Sequence, residues 1–332
     1  MNSSALDLPA RTPPSKILIA VDLSAASRQA IAYACNIVAP GARIRLVSIA
    51  ENPHTLVPTG SLVRTALDAA RAELLRDADA ALAEARDAFT ACNAQVDSEA
   101  IDLSLHGGDI AHALVDAAQT WGAELIVVGA HQRHGLMRWV EGTVSAPLAR
   151  LARCPILVVP TTYSVKPAQL PERILFAVDG SDQATQALRY GVRFAAPDTS
   201  LRAIYVIDRA VRFSALVPID TLEDAYIEEG MHALAAAKPI LETASNSSST
   251  RLVKTERARD DVAHTIAREA ASWEADLIVM GTHGRRGMVR WMLGSVAERA
   301  ARLVQSPLLL VHASERATPT ACASSAEPGC EK

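Results

Sequence analysis

The chain has 332 residues, of which 49% are hydrophobic and only 4% aromatic, and its formal net charge is −4. That length accommodates two domains of about 150 residues each, with cores built from Ala, Val, Leu and Ile. A small charge without long single-sign blocks argues against a dedicated nucleic-acid binder and against a basic membrane-surface patch, and the scattered Cys35, Cys92, Cys154, Cys322 and Cys330 are too few for a disulfide framework.

Residues 1–15 are read as a flexible tail, with prolines and no apolar h-region. No apolar run approaches the roughly 20 residues needed to cross a bilayer, so a cytoplasmic protein without membrane contact is expected. Residues 16–22 form an apolar run of strand length, and Ser24 then marks a helix that ends near Pro40-Gly41. A second apolar run covers 44–49, and a proline-bearing loop leads to an Ala-rich helix over about 60–92. A more polar third strand near 95–103, a helix over 109–121, a strand at 125–128, a loop, a last helix and a strand at 156–159 complete a unit over 16–160.

Residues 161–171 read as a linker, after which the order recurs over 172–312. Strands at 173–179, 201–207, 251–257, 277–280 and 308–311 alternate with helices opening at Ser181, over 220–245, over 261–273, and after Ser295. Residues 109–159 align without gaps to 261–311 with nearly half the positions identical, including Trp121 with Trp273 and Trp139 with Trp291. The chain is a tandem duplication. Residues 313–332, rich in Ala, Ser, Pro and Thr, are expected to be a disordered tail. Continuous apolar strands alternating with helices predict an α/β fold: two doubly wound parallel-sheet domains with helices on both faces. Ligands in such sheets sit beyond the strand carboxyl ends at the switch in strand order. Asp179 and the loop after 277–280 should therefore face one crevice.

That loop reads Gly281-Thr282-His283-Gly284, then nine residues, then Gly294-Ser295 and a helix. Glycines after a buried strand let backbone approach a ligand closely, and unpaired amides at the next helix start attract anions. Ser295 adds a hydroxyl donor, although Ser295-Val296-Ala297-Glu298 equally fits a capping box. Arg285, Arg286 and Arg290 either neutralise phosphate or are solvated surface groups. His131 and His283 share one loop position and are better read as packed than as catalytic. A structural role is expected for His112 and His264, at a helix start away from the crevice, and packing for Trp139 and Trp291. His131 and His134 lack accompanying ligands, so no metal site is expected. The NTPase phosphate loop, the dinucleotide fingerprint and the nucleophile elbow are all missing from the sequence.

These residues resemble the universal stress protein family, over nearly the whole chain and as two tandem family domains. The Gly-x-x-Gly, nine residues, Gly-Ser/Thr motif of its nucleotide-binding members matches Gly281, Gly284, Gly294 and Ser295. The resemblance aligns Asp179, followed by Gly180, with the family aspartate, and Val206 with the second-strand residue beside adenine. It implies ATP, with or without Mg²⁺, held by these residues together with His283, Arg285 and Val296. In the first copy the matching positions are Asp22, Ile49, Gly129, Gly142 and Thr143, but Gln132 replaces the second glycine and Leu23 stands where Gly180 does. Weak, altered or absent nucleotide binding is expected there. A family domain's last strand is an edge, so the resemblance also implies that the two copies pair within the chain as a pseudo-dimer, with further homodimerisation and an unidentified regulatory protein partner. The leading function is an ATP-binding stress regulator with no catalytic residue. The alternatives are a slow ATP hydrolase or phosphoryl-transfer enzyme using His283 or Asp179, and a nucleotide-independent scaffold. The contrast between the copies makes an internal prediction: Gln132→Gly strengthens nucleotide binding in the first copy and Gly284→Gln weakens it in the second, as read by nucleotide equivalents bound per chain.

Overall fold

The apolar runs become strands buried on both faces, so neighbouring side chains pack alternately above and below one sheet. The computed structural model describes residues 13–53, 64–90, 94–130, 145–209, 219–256, 260–284 and 293–312. In the first half, β1 (Lys16–Ala20), α1 (Ala25–Ile37), β2 (Arg43–Ala50), α2 (Arg64–Ala88) and β3 (Gln95–Asp102) are followed by the short α3 (Leu103–His106). Then come α4 (Ile110–Trp121), β4 (Leu125–Ala130), α5 (Ser145–Leu151) and β5 (Ile156–Pro160). The second half repeats the plan with β6 (Arg173–Ala177), α6 (Asp182–Gly191), β7 (Ser200–Ile207), α7 (Ile219–Ala244) and β8 (Ser247–Lys254). It closes with α8 (Val262–Ser272), β9 (Leu277–Gly281), α9 (Ser295–Leu303) and β10 (Leu308–Val311).

Helix starts follow the sequence signals. Ser24 and Ser181 cap α1 and α6 by accepting from Ser27 N and Ala184 N, which satisfies one of the orphan amides at each helix start. Asp109 and Asp261 do the same for α4 and α8, and each also holds the ring of the histidine three residues on, His112 at 2.8 Å and His264 at 3.1 Å. The matched histidines are thus parts of helix caps. One strand departs from expectation: β8 begins at Ser247 rather than near 251, because the serine run pairs in register with β7 from Ser200 onward. Tertiary pairing overrides the low strand propensity of serine at a polar sheet edge. The short α3, capped by Asp102, carries no period long enough to be read from sequence. Ser15, inside the tail expected over 1–15, is tied to Glu124 through its amide at 2.9 Å and its hydroxyl at 2.8 Å.

The ten strands of the described residues form one sheet in the order β3-β2-β1-β4-β5-β10-β9-β6-β7-β8. Pairing is parallel within each half, and β5 meets β10 antiparallel, with Leu157 opposite Leu309. One apolar layer runs across this seam on one face, from Ile17 and Ile19 through Leu157 and Val159 to Leu309, Val311 and Phe176. Leu18, Val158, Leu308, Leu310 and Ile278 build the layer on the other face. Each such fully buried side chain contributes about 1.5–3 kcal/mol.

Two tyrosines at the same place in α1 and α6 cross the seam reciprocally. The Tyr33 hydroxyl donates to the Asp276 carbonyl at 3.2 Å, and the Tyr190 hydroxyl donates to the Glu124 carbonyl at 2.8 Å. Glu124 and Asp276 are themselves aligned positions just ahead of β4 and β9. The connecting segment is also bound in: Tyr163 donates to Asp276 Oδ1 at 3.2 Å, and Lys166 O accepts from Asn36 Nδ2 at 2.7 Å. Burial pushes the Tyr33 and Tyr190 phenols well above their ordinary range; Tyr163 and Asp276 add to this at Tyr33, while the Arg193 guanidinium opposes it in part at Tyr190. A folded-state pKa raised above the unfolded one gives stability that is complete below about pH 10 and is lost as pH rises beyond it. The variant Tyr33→Phe/Tyr190→Phe should lose about 1–3 kcal/mol at pH 8 by urea unfolding, and its stability should fall less steeply than wild type between about pH 9 and 11.

Candidate functional site

At the carboxyl ends of β6, β7 and β9 lies a cavity of about 450 Å³, within the range of small-molecule sites. It sits at the switch point, because the chain runs outward from β6 through β7 and β8 and then crosses back to β9 on the other side of β6. Its loop wall is Gly281, Thr282, His283 and Gly284 with Gly294, Ser295, Val296 and Ala297 at the start of α9. Its apolar wall is Ile204, Val206 and Ile207 from β7 with Val262 and Ile266 from α8, and Asp179, Asp208 and Tyr226 supply polar groups.

Local bonding explains the shape of the loop wall. Thr282 is fully buried, its amide donates to Val311 O at 3.0 Å, and its carbonyl accepts from Gly294 N at 2.7 Å. One residue therefore ties the loop both to β10 and to the residue that caps α9. Thr282 Oγ1 lies 3.0 Å from His283 Nδ1, whereas His283 Nε2 is buried without a hydrogen-bond partner. Gly294, not Ser295, caps α9, and the first helical bond runs from Glu298 N to Gly294 O at 2.9 Å. The capping-box alternative is thereby excluded: Ser295 is already the first helical residue, and its amide and those of Val296 and Ala297 precede the helix's own ladder. Those amides form the positive end of α9.

Close approach accounts for the glycines. A Cβ on Gly284 would stand 2.6 Å from Asp179 Oδ2, and one on Gly294 would stand 2.9 Å from Thr282 O. Asp179 is held in turn by Ser181, whose amide and hydroxyl donate to Oδ1 at 3.0 and 2.6 Å. Of the residues expected from sequence, Asp179, Val206, Gly281, His283, Gly284, Gly294, Ser295 and Val296 come together here. Gly180 does not. It takes a left-handed φ of +81° and borders a separate groove of about 240 Å³ between α6 and α7, a backbone conformation that glycine adopts without strain. Arg285, Arg286, Arg290 and Trp291 lie outside the described residues.

Sequence reasoning missed Ile204, Val262, Ile266, Asp208 and Tyr226. Ile204 stands two residues from Val206 on the same face of β7, and Val262 and Ile266 are one turn apart on α8, so periodicity marked these three as apolar without distinguishing a core from a cavity wall. Nothing local marks Tyr226 or Asp208.

The first half differs at the same place. Asp22 is exposed and accepts from Ser24 N at 2.9 Å, while its own amide donates to the Ser27 hydroxyl at 3.0 Å. Ala184 stands at the position of Ser27 in the second half and lines the cavity. Leu23 keeps an ordinary φ where Gly180 is left-handed. A Cβ on Gly129 would stand 2.3 Å from the Ala26 carbonyl carbon, against 3.5 Å between the corresponding atoms of Gly281 and Gln183. The start of α1 is thus packed directly on the end of β4. Ile49 remains in β2; His131, Gln132, His134, Trp139, Gly142 and Thr143 lie outside the described residues. Among the described residues no group of three His, Cys, Asp or Glu side chains is placed to hold a metal ion, and no helix is long and apolar enough to cross a membrane.

The sequence profile described as Universal stress protein family matches residues 14–160 and again 171–312. A universal stress protein of Methanocaldococcus jannaschii is 34% identical over 145 residues, which is 43% of this chain and 82% of that one. Another from Mycolicibacterium smegmatis is 26% identical over 310 residues, covering 89% of this chain and 96% of its own length. The crystal structure of a universal stress protein from Archaeoglobus fulgidus superposes with a TM-score of 0.61 at 18% identity, over 90% of this chain and 96% of that one; at that identity it speaks to the fold alone. The two glycines that begin the matching loops are expected to respond differently to a methyl group. Gly129→Ala drives a side chain into the α1 backbone and should cost about 1–3 kcal/mol, read as a lowered midpoint in thermal unfolding. Gly281→Ala should cost less, because its closest contact is 3.2 Å.

Proposed function

The chain belongs to the universal stress protein family, and from that premise we propose that its second half binds ATP and that occupancy of this site regulates conformation or the binding of a partner protein. The observation that carries the reading is the cradle at the switch point, where Gly284 and Gly294 leave room that a Cβ would fill beside Asp179 and Thr282. The triphosphate is assigned to the amides of Ser295, Val296 and Ala297 and to the Gly281–Gly284 turn, where the helix dipole and unpaired N–H groups favour anions. The base is assigned to the apolar wall of Val206, Ile204, Val262 and Ile266, and the sugar to the neighbourhood of Asp179. Arg285 stays a candidate phosphate contact from the sequence, and Mg²⁺ would be held by the nucleotide's own phosphates.

One nucleotide per chain is the stoichiometry this reading gives. In the first half, Ser27 takes the Asp22 amide and α1 packs on Gly129, so the end of β4 is occupied by protein. Regulation requires that ATP favour one conformation over another, since equal affinity for both shifts nothing. Equilibrium dialysis with labelled ATP tests the assignment directly. About one equivalent should bind per chain, and Gly284→Gln should weaken binding at least about tenfold, a loss of roughly 1.4 kcal/mol. Two equivalents would remove the distinction between the halves, and no binding at millimolar ATP would remove the nucleotide reading itself.

A further inference from the structure

The helix whose amides face the cavity carries a carboxylate in its first turn, Glu298. Such a residue suits the positive end of an isolated helix, but here it competes with any anionic ligand drawn to the same dipole. The structure surrounds that charge with two arginines. Arg302, one turn along α9, bonds Glu298 Oε1, and Arg150 Nη2 of α5 reaches the same oxygen at 3.3 Å from the other side of the seam. A second tie joins the same two parts: His312, just beyond β10, donates from Nε2 to the Ala149 carbonyl of α5 at 2.9 Å. Burial pushes the His312 pKa down, the hydrogen bond to the Ala149 carbonyl opposes this in part, and the nearby His283 adds to the lowering.

These ties run in one direction only. In the gap-free alignment of the two halves Arg150 matches Arg302, but Ala146 stands where Glu298 does, and Pro160 stands where His312 does. The first half therefore has neither the carboxylate nor the imidazole with which to repeat the contacts. Arg150, matched to Arg302, thus contacts a carboxylate in the first turn of α9 in the other half rather than one in its own helix.

We propose that Arg150 is an affinity-setting residue of the second half's nucleotide site: by neutralising Glu298 across the seam it lets the start of α9 accept phosphate, and it makes α5 of the first half responsive to occupancy. The proposal rests on the assignment of ATP to that cavity. Arg150 is a positioning residue that acts through Glu298 and makes no contact with the nucleotide. Linkage makes the effect reciprocal: if Arg150 favours phosphate, phosphate favours the position of α5 that brings Arg150 to Glu298.

A double-mutant cycle on the full chain, with ATP titrated by calorimetry into wild type first, tests it. The Arg150 side chain is 48% exposed, so its removal leaves packing intact, and an unchanged thermal midpoint checks that. Arg150→Ala should weaken ATP binding about two- to fivefold, an effect reduced by solvent screening at a partly exposed pair. It should shrink further between about 20 mM and 300 mM salt. Glu298→Gln should tighten binding by a similar factor, and in that background Arg150→Ala should have no effect. Amide hydrogen exchange in α5 should slow on adding ATP to wild type and remain unchanged in Arg150→Ala. An equal loss in both backgrounds, or no loss in either while wild type binds ATP, overturns the role of Arg150. Absence of ATP binding to wild type would instead overturn the site assignment, and the inference with it.

Discussion

The antiparallel pairing of β5 with β10 is the interaction on which the rest depends. Each parallel half ends in a strand buried on both faces, and alone it would present a row of unpaired amides and carbonyls beside apolar side chains. Placing Leu157 opposite Leu309 satisfies both edges at once and lets the apolar layers on the two faces continue across the join. The outer edges need no such cover. At β3 and β8 the side chains are largely charged or hydroxylated and exposed, so the sheet is polar where it ends and apolar where it continues.

Around that seam the molecule is nearly two-fold, and the departures from symmetry carry the functional content. Tyr33 and Tyr190 exchange equivalent hydrogen bonds with equivalent carbonyls, which is the self-complementarity expected of an isologous contact. The crevices are not equivalent. In the second half Gly180 turns the chain through a left-handed conformation and Ala184 leaves space, and a cavity results. In the first, Leu23 forbids that turn, Ser27 bonds the Asp22 amide, and α1 lies against Gly129. A glycine retained in both loops therefore answers to two constraints, close helix packing at Gly129 and a looser turn at Gly281.

The repeat, the α/β class and the location of the crevice were legible because each rests on a local or periodic signal. Apolar runs of strand length, caps such as Ser24, Ser181, Asp109 and Asp261, and the spacing from Gly281 to Ser295 are all readable along one dimension. Periodicity also found Ile204, Val262 and Ile266, yet a cavity wall and a core have the same apolar period, so it could not tell which they were. For a related reason the sequence could not show that Gly180 stands off the cavity lining. A glycine beside a site residue answers equally to ligand contact and to positive φ, and only the backbone shows that +81° is what it supplies. The Ser295 alternatives were separated by the helix boundary itself, since a shift of one residue made Gly294 the cap.

Taken alone, the sequence determined that the chain is a duplication, that each copy alternates strand and helix, and that only the second keeps both glycines of its loop. These are properties of residue order, and chain neighbours enforce them. Tertiary structure alone decided that β5 and β10 meet antiparallel, that Asp179 faces Gly284 across the switch point, and that Arg150 reaches Glu298. Those pairs are far apart in sequence or in opposite halves, and no local propensity encodes them. Asp179 meets Gly284 because β6 pairs with β9, and Arg150 meets Glu298 because β5 pairs with β10.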